Sequence, residues 1–172
     1  MVQRSIVAPL AFQVVWLVCA IGAASGNSTP GIAVSLMFAV TIVASSQKPM
    51  RDALVVAASG VVGFLVESTL VIAGLIRFSA SWPVETVAPA WIVTLWIAFG
   101  ASLPSIADKL GTHPLKTAAA LGAVAGPFAY FAGARLGALQ LVGPTLWSFL
   151  ALSIVWAAVM TGLVALNARF NR

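Results

Sequence analysis

The sequence predicts an all-α fold: a polytopic membrane protein, a bundle of six transmembrane helices with both termini cytoplasmic. Three observations carry that prediction. The chain is 61% hydrophobic and 8% charged, whereas a soluble domain carries about 25% charged residues. A soluble chain of 172 residues could not hide so much apolar surface. The apolar residues also fall into six runs broken by short turns, without the period-two alternation of a membrane β-barrel. Residues 1–172 are expected to form a single transmembrane domain.

The first span is expected at 6–25. Arg4 precedes it and GAASGNS follows. That flank resembles a signal-peptide cleavage site, but the run is long for such a segment and the rest of the chain needs the membrane too. Gln13 and Trp16 fall near the middle of this helix, where an exposed amide would be costly. The second span, 30–46, is short for a crossing that takes about 20 residues. SQKPMRD then makes a polar turn with Lys48 and Arg51.

The third span, 53–77, contains SGVVGFLVESTLVIAGL with a single carboxylate, Glu67, near its middle. Gly60, Gly63, Glu67 and Gly74 share one helical face. Glycines on one face of a membrane helix admit a neighbouring helix, so Glu67 should point into a helix–helix contact. The connection 78–89 carries Trp82 and Pro83. The fourth span is expected at 90–110. Its Thr94, Ser102, Ser105 and Asp108 lie within a sector of about 120°, and Pro104 should kink it. The fifth, 115–141, has Gly122, Gly126, Gly133 and Gly137 on one face and a bend at Gly126–Pro127. The sixth, 145–170, ends in Arg169, with Arg172 beyond. The third and fifth helices are expected to be central, packed through their glycines.

Orientation follows from the basic residues. With the N-terminus inside, Arg4, Lys48, Arg51, Lys109, Lys116, Arg169 and Arg172 are cytoplasmic, and only Arg77 and Arg135 fall outside. Basic residues scattered singly at segment ends are topology signals, so the net charge of +5 does not imply a nucleic-acid partner. One histidine, His113, and one cysteine, Cys19, cannot build a metal or bis-His haem site within one chain. No cofactor or metal is expected. His113 should be solvated and Cys19 packed.

Glu67 is the residue lipid tolerates least. Intramembrane carboxylates are costly and mark functional sites. It should be protonated, paired or hydrated, and hydrogen-bonded to a polar tip such as Gln13, Tyr130 or a tryptophan N–H. The alternative is a structural carboxyl at a glycine contact. Arg135, the plausible intramembrane cation, sits off the glycine face, where it either snorkels or reaches Glu67 or an anionic headgroup. Gln13, Trp16, Trp96, Tyr130 and Trp156 all fall at depth, where polar-tipped aromatics are unusual. They form either a pocket or interhelical glue. Candidate ligand-binding residues are therefore Glu67, Arg135, Tyr130, Gln13, Trp16 and Trp96. Trp82, Trp91 and Trp147 suit an outer aromatic belt. Internal symmetry is faint: Gly63-x3-Glu67-x6-Gly74 overlays Gly126-x3-Tyr130-x6-Gly137, a match that apolar sequence makes easily.

QVVWLVCAIGA (13–23), GFLVESTLVIAGL (63–75), PAWIVTLWIAFG (89–100) and GAVAGPFAYFAGARLGA (122–138) resemble a family of small bacterial inner-membrane proteins, catalogued as domain of unknown function 2878. The resemblance covers nearly the whole chain. It implies a multi-pass protein of the bacterial cytoplasmic membrane. The family pattern usually has an aspartate where this chain has Glu67. Its members are often encoded near fatty-acid-modifying enzymes, which hints at lipid chemistry.

Three functions fit these features. The first is a carrier, or the substrate-binding subunit of a transporter, for a small molecule or lipid held around Glu67. The second is an accessory or scaffold subunit of a lipid-modifying system. A membrane enzyme comes last, because no nucleophile–base pair, metal cluster or phosphate loop is present in the sequence. The expected partners are membrane lipids, a hydrophobic or lipid-like ligand, and a membrane protein or a second copy of the chain.

Overall fold

The computed structural model describes residues 2–170, with side chains from residue 7 onwards. Arg172 of the basic asymmetry lies outside the described residues, as does the side chain of Arg4. The chain forms six helices: α1 (Val2–Ala24), α2 (Thr29–Ala44), α3 (Pro49–Ile72), α4 (Ala90–Ala107), α5 (Pro114–Leu136) and α6 (Thr145–Phe170). All except α2 are long and apolar enough to cross a membrane. α2 has 16 residues and so reaches about 24 Å at the helical rise. Proline opens α3 and α5 and lies in the first turn of α2, where its fixed φ and missing N–H cost nothing.

The third and fifth apolar runs are not helical to their ends. α3 stops at Ile72 and α5 at Leu136. Gly74 and Gly137 follow in the left-handed region, at φ +69° and +86°, which L side chains avoid. Each glycine turns the chain into a short strand, β1 (Ile76–Phe78) and β2 (Leu139–Leu141). The two strands pair antiparallel, with Ile76 opposite Leu141, Arg77 opposite Gln140 and Phe78 opposite Leu139. Val142 N–H to Leu75 C=O and Ser79 N–H to Ala138 C=O, both 2.9 Å, extend the ladder. A small β-ribbon therefore ties the ends of α3 and α5 together. Glu67 consequently lies five residues from the end of its helix, roughly 8 Å, and not at its middle.

The centre of the bundle is α4, correcting the expectation for α3 and α5. Of its residues 56% are buried, against 39% in the α3 span and 33% in α5. The reason is bulk. α4 places Trp91, Leu95, Trp96 and Leu103 in the core, whereas the glycines of α3 and α5 only make room for neighbours. α1, α2, α3 and α6 all pack on α4, and α5 packs mainly on α6. The α3–α4 contact is built from small residues. A Cβ on Gly100 would come within 2.6 Å of the Ser59 Cβ, and Ser59 donates a hydrogen bond of 2.9 Å to the Trp96 carbonyl. On the other side Cys19 packs on Gly31 and Ser35 of α2.

Pro104 and Pro127 both lie inside continuous helices. Thr94 and Ser102 donate to carbonyls three residues back in α4, at 3.0 and 2.8 Å. These two hydroxyls thus serve their own helix. Of the three tryptophans expected in an outer belt, Trp82 and Trp147 are exposed and Trp91 is buried. Its indole N–H donates to the Ser79 carbonyl, 3.1 Å away, pinning the loop after β1 onto the start of α4.

Candidate functional site

The site is assembled from two glycine–tryptophan contacts. A Cβ on Gly63 would overlap the Trp96 indole, and one on Gly126 would overlap that of Trp156. The glycines therefore let two indoles into the helix interfaces. There the indoles stack on each other, centroids 4.8 Å apart and planes at 17°. Phe99 meets both edge-to-face, at 5.9 Å from each, and Tyr130 meets Trp156 at 6.2 Å.

One helical turn beyond Gly63 is Glu67, which has no accessible surface. Its Oε1 accepts the Trp96 indole N–H at 2.8 Å and the Tyr130 hydroxyl. Its Oε2 is buried and has no hydrogen-bond partner, and the same holds for the Trp156 indole N–H. A buried polar atom without a partner costs about 1–3 kcal/mol. An arrangement that saturates one carboxyl oxygen and leaves the other bare is asymmetric. Oε1 is held by the protein, and Oε2 is left bare.

Beside the carboxyl lies a cleft of about 510 Å³, within the size range of small-molecule sites. α4 and α6 form its floor, and α1 and α5 form its sides. α1 contributes Pro9, Phe12, Gln13, Trp16 and Ala20, whose spacing places them on one helical face. α5 contributes a stripe from Leu121 to Gly133, roughly 18 Å long at the helical rise. Gln13 of α1 and Leu121, Ala125 and Phe128 of α5 are exposed lining residues. The cleft thus opens sideways, between α1 and α5.

Five of the six candidate residues line this cleft: Glu67, Tyr130, Gln13, Trp16 and Trp96. Arg135 does not. It is exposed, next to the last residue of α5. Five positions separate it from Tyr130, which at 100° per residue turns it to another face. The ion pair of Arg51 with Asp52, 2.9 Å long, lies a full two helical turns or more before Glu67 in the chain. Phe12, Phe99 and Trp156 belong to the site as well. Trp156 stood out in the sequence for its depth. Phe12 and Phe99 carried no signal that separates them from ordinary core residues.

Fold and site together define a multi-pass helical membrane protein organised around a buried carboxyl held by a tyrosine and a tryptophan. The chain belongs to the family described as "protein of unknown function (DUF2878)", whose model matches residues 5–162. No curated protein and no solved structure matches it.

Proposed function

We propose that the chain is a binding protein or carrier of the bacterial cytoplasmic membrane, holding a small apolar or lipid-like molecule in the cleft between α1 and α5. One observation supports this most: a fully buried carboxyl, Glu67, leaves one oxygen unpartnered beside a largely apolar cleft of about 510 Å³. A core that needed only stability would leave neither a void nor a bare oxygen there. The sideways opening gives a membrane-dissolved molecule a route in. Native mass spectrometry of protein released gently from membranes tests the reading. The expected result is a bound small-molecule adduct, lost or weakened in Glu67→Leu. Protein with an empty cleft throughout would overturn it.

The same proposal takes all six helices across the membrane, α2 included, with both termini cytoplasmic. Lys48, Arg51, Lys109 and Lys116 sit at the α2–α3 and α4–α5 junctions, opposite the ribbon end that carries Arg77 and Arg135. Such an asymmetry favours the lysine-rich end inside. Reporter fusions after Lys48 and after Lys116 should both read cytoplasmic, and an external signal at either overturns the orientation.

A second reading, an accessory subunit that docks on a membrane partner or a second copy, draws on a different surface. α2, α3 and α4 enclose an apolar groove of about 700 Å³, lined by Leu36, Val40, Val61, Phe64 and Ile97 among others. A stoichiometric protein companion in the same mass spectrum, without a small-molecule adduct, would favour this reading.

A further inference from the structure

We infer that the cleft selects an uncharged amphiphile with a hydroxyl head, such as a long-chain alcohol, whose head meets Glu67 Oε2 and whose chain lies between α1 and α5. The inference rests on the binding role proposed above and specifies the class of ligand. It follows from the charges and donors around the cleft. Among the described residues no lysine, arginine or histidine lines it, and Glu67 is the one carboxyl that does. Arg135, the nearest cation in sequence to Tyr130, is exposed on another face of α5. A phosphate or carboxylate head would enter a site where none of the described residues offers a positive charge, and a buried unpaired charge is strongly penalised.

An ammonium head fails for a different reason. Aromatic cages bind cations through open ring faces. Here Trp96 and Trp156 cover one face of each other, with Phe99 and Tyr130 packed around them. An ammonium would also match only an ionised Glu67, whereas a hydroxyl suits both forms. It donates to Oε2 when the carboxyl is ionised, and accepts from Oε2–H when it is protonated. The Trp156 N–H is the buried donor left without a partner, and two of the protein's donors, Trp96 N–H and the Tyr130 hydroxyl, are spent on Oε1. The ligand hydroxyl therefore completes the carboxyl without displacing either. The walls of the cleft, Phe12, Trp16, Leu95 and Phe128 among them, offer apolar surface for a chain.

The test is a head-group series on one chain length. The protein in phosphatidylcholine nanodiscs is titrated with dodecan-1-ol, dodecyl phosphate, dodecylammonium and dodecane, and saturable change in tryptophan fluorescence is read. Dodecan-1-ol should bind at least about tenfold more tightly than the other three, since one buried hydrogen bond decides the difference. Glu67→Gln should keep that preference, because its amide holds Trp96 and Tyr130 through the oxygen and still offers an N–H to the hydroxyl. Equal or tighter binding of the phosphate, the ammonium or the bare alkane would overturn the hydroxyl head and leave the cleft as a binding site. Loss of dodecan-1-ol binding in folded Glu67→Gln would overturn it likewise. If none of the four binds the folded wild-type chain, the binding role itself falls, and this inference with it.

Discussion

At Glu67 two donors from different helices converge on one oxygen, the Trp96 indole from α4 and the Tyr130 hydroxyl from α5. Tyr130→Phe removes one and should destabilise the protein by about 1–3 kcal/mol, read as a lower melting temperature in detergent. Trp96→Phe should cost more, since it also removes the stack on Trp156. Because both donors serve the same oxygen, the double variant should not lose the sum of the single effects. Strict additivity would show that the carboxyl is not their common partner. At Gly63 and Gly126 the question is space. Leucine at either position must displace a tryptophan, and such overpacking costs about 1–3 kcal/mol. Unchanged melting of both variants would mean that these faces look at lipid.

At the scale of the element, the apolar runs announce helices but not where they stop. Nothing in the hydropathy of LVIAGLIRF, residues 70–78, distinguishes helix from strand. Gly74 decides it, through a left-handed φ that ends α3. A Cβ there would meet nothing within 4 Å, so Gly74→Ala isolates the backbone cost. It should destabilise by about 1–2 kcal/mol, read by the same melting experiment. No loss of stability would show that α3 runs on past Ile72. The glycine spacing in α3 was legible because helical periodicity places i, i+3 and i+7 on one face. What the glycines receive was not. A gap accepts any bulky neighbour, and the choice of Trp96 and Trp156 depends on the register of α4 and α6.

Across the whole molecule, the faint sequence match between α3 and α5 acquires a geometry. Glu67 and Tyr130 are 63 positions apart and hydrogen-bond to each other. Arg77 and Gln140, the central pair of the ribbon, have the same separation. Gly63 and Gly126 each receive a tryptophan, and the two tryptophans stack. Matching features of α3–β1 and α5–β2 thus recur at this one separation, at the glycines, at the carboxyl and in the ribbon. The register is testable with Arg77→Cys paired with Gln140→Cys in a Cys19→Ser background. Directly opposed, hydrogen-bonded residues of an antiparallel pair have Cα atoms about 5.5 Å apart, inside disulfide range. That pair should crosslink readily. Crosslinking of Arg77→Cys with Leu139→Cys in its place would mean a slipped ribbon.

Sequence by itself determined the class of molecule, the helices that form it and several of the residues that line the cleft. Lipid solvent demands long apolar runs and tolerates few polar groups, so composition fixes the architecture and each exception stands out. Glu67, Tyr130, Gln13, Trp16 and Trp96 were visible for that reason, and the structure gathers them at one cleft. Only the tertiary structure decided that α4 is central, that Trp91 turns inward, that Arg135 stays away from Glu67, and that β1 pairs with β2. Each of these depends on which faces of different helices meet. Helix-to-helix register is set by the packing of bulky side chains into gaps, and periodicity within a single helix carries no record of it.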